Sequence, residues 1–283
     1  MGIFDIFKKK KEEVNTNNQG VFTDSNGNLT INAQSITIKD KNGNITTHID
    51  SNGRASGINL DKKKTINLRK ETVHKICLTK SNLGDLKARV VFAIDYSGSM
   101  SNRYSSGKVQ ELVERILPLS LRFDDDGDMG VWMFDDCHRR LPDMNLENFH
   151  GYVKNEIMKY TMGGTRYSNV INDIVAQYTK KEPADIPTYV VFITDGNCWD
   201  EDQSEKAIKN ASKHNIFWQF VGIGKENKKF LERLDDMPGR FLDNADFFDC
   251  NDISKIDDEE LYKRLLNEFD GWVVQARNKG MIK

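Results

Sequence analysis

Two short apolar runs constrain this chain more than any other feature. Residues 89–95 read Arg-Val-Val-Phe-Ala-Ile-Asp, and residues 189–195 read Tyr-Val-Val-Phe-Ile-Thr-Asp. Consecutive apolar positions leave a strand no solvent face, which is the pattern of strands covered on both sides in a parallel sheet. Each run ends on an aspartate. Apolar stripes at helical spacing lie between and beyond them: Val109, Leu112, Val113, Ile116 and Leu117, then Val170, Ile171, Ile174, Val175 and Tyr178. Residues 129–134 and 216–221 read as two more strands, and a helix is expected around 203–214. Leu261, Leu265, Leu266, Phe269, Trp272 and Val273 read as one closing helix. Strands alternating with helices predict an α/β fold, a doubly wound, mostly parallel sheet with helices on both faces. Ligands of such sheets bind outside the carboxyl ends of the strands.

The front of the chain follows a different rule. A phrase recurs as DSNGNLT at 24–30, DKNGNIT at 40–46 and DSNGRAS at 50–56. Asn-Gly favours a type I′ hairpin turn, which needs φ > 0 at both central positions. Between the turns, Leu29 and Ile31, Ile36 and Ile38, Ile45 and Ile49, and Ile58 and Leu60 alternate as half-buried strands do. The Gly stands at position four of each phrase rather than at six, so a calcium loop of the EF-hand kind is excluded. Ahead of this, Ile3, Phe4, Ile6 and Phe7 precede four lysines, the make-up of a weak interfacial anchor on anionic lipid or of a terminus docked on its own domain. The expected organisation is a basic amphipathic tail and linker at 1–20, a small β-rich hairpin module at 21–84, and the α/β domain at 85–283.

Charge narrows the function. Of 283 residues, 41 are Lys or Arg and 43 are Asp or Glu, a net charge of −2 that excludes nucleic-acid binding by overall charge. Residues 1–89 hold 16 basic and 9 acidic residues, whereas 90–283 hold 25 and 34. The basic front is either an independent surface or one that meets an acidic surface, in cis or on a membrane. No apolar run approaches the roughly 20 residues of a membrane span. Cys77, Cys137, Cys198 and Cys250 stand 52 to 61 residues apart, which is neither a zinc nor a disulfide framework. The expected setting is the cytoplasm, with peripheral contact at the inner face of the membrane through residues 1–11.

Chemistry gathers where the fold rule places it. The first run ends in Asp95-Tyr-Ser97-Gly-Ser99, the other in Thr194-Asp195-Gly196, and Gly163-Gly164-Thr165 lies between them before a helix. Two carboxylates and three hydroxyls then converge at one sheet edge, with Asp95 expected beside solvent. Oxygen-only donors suit a hard divalent cation, Mg²⁺ first and Mn²⁺ or Ca²⁺ as alternatives. Hydroxyl ligands add no charge, so the cation stays electrophilic and accepts an outside carboxylate. Arg166 and Tyr167 are expected on the ligand face or in helix-start packing, and Asp200, Glu201 and Asp202 at the start of the next helix. Asp124, Asp125, Asp126 and Asp128 form an acidic turn, Asp135, Asp136 and His138 follow the second strand, and Cys198 reads as a packed thiol.

Asp-x-Ser-x-Ser after a buried strand, a later Gly-Gly-Thr, and Thr-Asp-Gly after another buried strand resemble the metal-ion-dependent adhesion site of von Willebrand factor A domains, over roughly residues 86–275. The resemblance implies Ser97, Ser99 and Thr165 as direct metal ligands, with Asp95 and Asp195 binding directly or through water. GKVQELVERILPLSLRFDDDGDMGVWMFDD with the downstream MGGTRYSNVI is similar to the bacterial tellurium-resistance, TerF-like branch. INLDKKKTINLRKE followed by ICLTK resembles the β leader of TerD-like stress proteins, although the glycine usual after the lysine is absent and the TerD body does not follow. The family implies a Mg²⁺-dependent protein-recognition or scaffold module of a tellurium-resistance or stress-response system. Its partner would supply an acidic residue, TerD-like proteins or an ATPase being the expected clients. Position 97 is Ser where a haloacid-dehalogenase-type site needs Asp, and neither a G-x-S-x-G elbow nor a Walker phosphate loop occurs. The chain is therefore read as a non-enzyme, with a metal-dependent phosphoester hydrolase as the alternative.

Overall fold

The computed structural model describes residues 60–124 and 126–283, together with six strands upstream of them. Those strands are β1 (Glu13–Thr16), β2 (Val21–Thr23), β3 (Leu29–Ile31), β4 (Ile36–Lys39), β5 (Ile45–Ile49) and β6 (Ala55–Ser56). The chain divides into two compact units, 1–65 and 66–283.

In the first unit every Asn-Gly phrase lies between two strands that pair antiparallel. β2 pairs with β3 across 24–28, β4 with β5 across 40–44, and β5 with β6 across 50–54. β1 adds to β4, giving a four-stranded sheet of order β1-β4-β5-β6 beside the separate β2-β3 pair. The turn residues, and the anchor expected at 1–11, lie outside the described residues. β1 falls within the stretch expected to be tail and linker, so pairing starts earlier than the sequence pattern indicates.

The TerD-like β leader is not formed. Leu60–Thr79 is a single helix of 20 residues, α1. Ile66 and Leu68 imitate strand alternation, but Ile66, Val73, Ile76 and Cys77 are the buried residues, and their spacing is that of one helical face. Leu68 is 70% exposed and Leu78 62%, so the alternating positions do not share a face. The second unit accordingly begins within α1 rather than at residue 85.

The second unit has a six-stranded sheet of order β12-β11-β10-β7-β8-β9. Its strands are β7 (Arg89–Asp95), β8 (Met129–Phe134), β9 (His138–Met144), β10 (Thr188–Thr194), β11 (Ile216–Ile223) and β12 (Ala245–Cys250). All pair in parallel except β9, which returns antiparallel to β8. The helices after α1 are α2 (Ser101–Ser105), α3 (Lys108–Phe123), α4 (Ser168–Ala176), α5 (Glu201–Ala211), α6 (Lys229–Asp235), α7 (Asp258–Leu265) and α8 (Phe269–Asn278).

The two-residue period of the strands sorts the core into two layers. Val90, Phe92 and Ile94 of β7, with Tyr189, Val191 and Ile193 of β10, join Val73, Leu112, Ile116, Leu261 and Trp272 on one face. Val91 and Ala93, with Val190 and Phe192, join Ile171, Ile174, Ile208 and Leu231 on the other. This is the doubly wound arrangement expected. The single closing helix is instead two, α7 and α8, separated at Leu266–Glu268. The break turns Phe269 and Trp272 onto Phe217 of β11, with ring centroids 5.5 and 5.6 Å away. β9 and β12 are additions to the expected strands. β9 carries Pro142 and mixed polarity, which an edge strand tolerates because one side needs no partner. Among the described residues no helix is long and apolar enough to cross a membrane.

The buried face of α1 makes a prediction. Val73 is fully buried in the first layer. Val73→Asp should lower stability by about 3 kcal/mol or more, the cost of burying an unpaired charge, read by denaturant unfolding. An unchanged midpoint would mean that α1 is not part of this core.

Candidate functional site

The site is built where β7 and β10 end side by side. Asp95 closes β7 and is fully buried, not beside solvent as its strand-end position suggests. The central position of β7 explains this: the end of β10 places Thr194 against the carboxyl, and the loop carrying Gly163 bridges to Ser97 beside it. Its Oδ1 accepts the Ser97 N–H at 2.8 Å and its Oδ2 accepts the Thr194 hydroxyl at 2.7 Å. Tyr104 donates its hydroxyl to the Asp95 carbonyl at 2.8 Å. Burial raises the Asp95 carboxyl to about 7; the Ser97 and Thr194 hydrogen bonds oppose the shift and the neighbouring Asp195 charge adds to it.

Ser97 and Ser99 follow in the loop leading into α2. Their hydroxyls lie 3.0 Å apart. Ser97 is buried and Ser99 exposed, so the pair bridges interior and surface. A second loop is clipped alongside: Ser97 forms a parallel bridge to Gly163, and the Gly98 N–H donates to the Gly163 carbonyl at 3.1 Å. Side chains at 163 and 164 would collide with Asp136 and with the Trp199 ring, so this approach requires the Gly-Gly pair. Buried Thr165 comes next, and its carbonyl accepts the Trp199 N–H at 2.8 Å, tying it to the loop after β10.

Asp195 completes the group and is the anomaly in it. Its side chain is fully buried, yet Oδ2 accepts no hydrogen bond. Arg103 Nη1 stands 3.6 Å away, but Arg103 also makes a 2.5 Å ion pair with Glu226. A carboxylate oxygen buried without a hydrogen bond is costly. All five residues singled out from the sequence thus lie on three loops held together at one edge, and they offer only oxygen donors. The orphaned Asp195 oxygen and this donor set fit a hard divalent cation.

Other residues take structural roles. Tyr167 does not face a ligand: it is fully buried, and its hydroxyl lies 2.8 Å from the Thr194 hydroxyl. Arg166 is exposed. Asp135 and Asp136 brace backbone, accepting the N–H groups of Cys137 at 2.6 Å and Gly164 at 3.2 Å. His138 lies 3.8 Å from Asp173. Cys198 is a packed thiol, pushed up to about 12 by burial, with Sγ 3.3 Å from Asp200 Oδ1. The sequence reading missed Arg103 and Trp199. Nothing in their spacing marks them, although an aromatic three residues after a Thr-Asp-Gly turn is a signal for a loop-borne contact. Trp199 is 66% exposed beside Gly164.

The model for the von Willebrand factor A domain found at the TerF C terminus matches residues 87–282. The chain belongs to this vWA-TerF-like family. An uncharacterized Bacillus subtilis (strain 168) protein, YcbR, is 40% identical over 223 residues, 77% of this chain and 90% of that protein. Among solved structures, mussel byssus proximal thread matrix protein 1 with a zinc-occupied MIDAS motif superposes with a TM-score of 0.49 at 18% identity, covering 64% of this chain and 48% of that one. A von Willebrand factor type A structure from Catenulispora acidiphila gives 0.47 at 16% identity, covering 69% and 43%. The chain spans less than half the length of either. Domains of the vWA family generally mediate protein–protein interaction.

Within this vWA domain one residue supports the loops from below. Asp200 accepts the N–H groups of Tyr167 at 2.9 Å and Ser168 at 3.2 Å and the Ser168 hydroxyl at 2.5 Å, so a residue placed at the start of α5 caps α4. Burial raises its pKa, but the Ser168 hydroxyl and these N–H groups outweigh that and hold it below the ordinary carboxylate value. The stabilisation is therefore full above the ordinary Asp value and is lost as pH falls through the depressed one. Asp200→Ala should cost about 1–2 kcal/mol at neutral pH. The gap from wild type should close as pH is taken below about 4, which urea unfolding across pH would show.

Proposed function

We propose that this chain is a metal-dependent protein-recognition module of a bacterial tellurium-resistance or stress-response system. Mg²⁺ is the favoured ion, held by Ser97, Ser99 and Thr165 with Asp95 and Asp195 bound directly or through water. The Asp195 oxygen carries the reading: it is buried without a hydrogen bond, and its one nearby cation, Arg103 at 3.6 Å, is shared with Glu226. The metal supplies an electrophilic position that accepts a carboxylate from a partner protein. The protein's own groups set that position. Thr194 and the Ser97 N–H fix the Asp95 carboxyl, and three neutral hydroxyls add no charge, so the ion is not over-neutralised and still accepts an incoming acid.

The surroundings suit a protein ligand. Exposed Trp199 stands at the rim, and buried aromatic anchors of this kind dominate protein interfaces once covered. On the other side, a cavity of about 520 Å³ opens beside Ser99 and Arg103, bounded by Lys108 and Asn251. The TerF-like family supports the tellurium or stress setting, with TerD-like proteins or an ATPase as clients. The cytoplasm is the compartment in which four free cysteines persist.

Two outcomes test this. Lysate capture on the full chain should retain a partner in Mg²⁺ and lose it in EDTA and in Ser99→Ala/Thr165→Val, which spares the buried carboxylates. Trp199→Ala should weaken the purified interaction by about tenfold or more, close to 1.4 kcal/mol. Partners that ignore all three changes would move recognition to another surface. Mg²⁺-dependent turnover of p-nitrophenyl phosphate that disappears in Asp195→Asn would replace recognition by hydrolysis.

A further inference from the structure

Three more carboxylates meet at the opposite end of the sheet. Asp235 is the last residue of α6, Asp246 the second of β12, and Glu268 immediately precedes α8. One ligand oxygen from each lies within 4.8 Å of the others. Asp246 is 5% exposed, its carboxyl is turned into this group, and its Oδ2 accepts no hydrogen bond.

Among the described residues no cation pairs directly with the three carboxylates; Arg240 offsets the Glu268 charge from a distance. Arg240 donates to the carbonyls of Leu234, Asp235 and Met237 and pairs with Asp243 at 2.6 Å. Lys263 is held by Glu259 and Arg264 by Glu260, each at 2.6 Å. Asp235 also sits at the negative end of its helix, where a carboxylate is disfavoured. Burial, then the charges of Glu268 and Asp246, pushes the Asp235 carboxyl up to about 7. Burial raises Asp246 and Glu268 as well and Asp243 adds to both, against hydrogen bonding from Gln219 and backbone N–H groups at Asp246 and the Arg240 charge at Glu268. A cavity of about 360 Å³ reaches Asp246 and is bounded also by Phe247, Glu260, Lys263, Arg264 and Asn267.

We propose that Asp235, Asp246 and Glu268 form a second divalent-cation site, of the calcium class. The donors are oxygen only, which selects a hard cation. Mg²⁺ keeps most of its waters and takes one or two carboxylates, whereas Ca²⁺ accepts about six to eight oxygens in flexible geometry, so three carboxylates favour the calcium class. The ion ties the end of α6 and the start of α8 to the edge strand β12. This site stands independently of the one at Asp95 and Asp195.

Calcium titration of the full chain tests it, by calorimetry and thermal melting after EDTA treatment, in an Asp195→Asn background that silences the first site. One Ca²⁺ per chain should bind, and the melting temperature should rise by about 5 °C or more at a hundredfold excess over Kd. Both effects should vanish when Asp246→Asn is added, and also when Glu268→Gln is added, an exposed change that leaves the core intact. Absence of Ca²⁺ binding in the Asp195→Asn chain, or binding unaltered by either added substitution, overturns the site. Tighter binding of Mg²⁺ than of Ca²⁺ overturns the calcium assignment.

Discussion

The contact between the ends of β7 and β10 is the constraint on which the rest of the domain depends. Two adjacent central strands each deliver an aspartate to the same buried place, and like charges in a low-dielectric site repel strongly. The structure meets this in layers. Asp95 is held by the Ser97 N–H and the Thr194 hydroxyl. Thr194 is in turn 2.8 Å from the Tyr167 hydroxyl, so a buried polar chain runs from the carboxyl into the aromatic layer. Asp195 is held more loosely: Oδ1 accepts long hydrogen bonds from Asn197 at 3.4 and 3.5 Å, and Oδ2 has only Arg103 at 3.6 Å. The asymmetry divides the labour: one carboxylate is fixed in advance, and the other keeps a free oxygen for what binds.

The loops follow from the same constraint. A parallel sheet exposes its strand ends only on one edge, and three separate loops must meet there. Gly163 and Gly164 permit the close approach, while Asp135, Asp136 and Asp200 brace backbone N–H groups and leave the rim uncrowded. These three acids resemble candidate ligands in the sequence. In the fold they are supports, and the difference is set by which N–H groups stand within reach.

The central sheet, and the gathering of Asp95, Ser97, Ser99, Thr165 and Asp195 at its edge, were legible in the sequence because their signals are local. An unbroken apolar run ending in Asp identifies a central strand without reference to its neighbours, and Asp-x-Ser-x-Ser is read within five residues. The departures occur where tertiary context decides. Ile66 and Leu68 imitate strand alternation, and only the later Val73, Ile76 and Cys77 show that a helical face is being buried. β9, with Pro142 and mixed polarity, becomes a strand because β8 offers a free edge. The burial of Asp95 was not legible either, since it depends on loops more than 60 residues distant closing over the strand end. Arg103 carries no signal of its own, and its role arises from Glu226 and Asp195 lying on either side of it.

Both ends of this sheet therefore hold carboxylates that protein donors do not fully satisfy, but the two groups differ in kind. At the carboxyl ends of β7 and β10, two acids are mixed with three hydroxyls. Two acids do no more than balance a divalent cation there, and the hydroxyls add no charge, a composition that still admits another acid. At the start of β12, three acids stand together without hydroxyls. A divalent ion among them would be more than neutralised, so it would attract no further anion and would act as a tie between segments. α8, which follows Glu268, packs through Phe269 and Trp272 on Phe217 of β11. The closing helix is thus anchored by aromatic packing along its length, and an ion at Glu268 would add a tie at its start. The number of acids around each site, with neutral donors filling the remaining positions, sets whether an ion there would recruit or fasten.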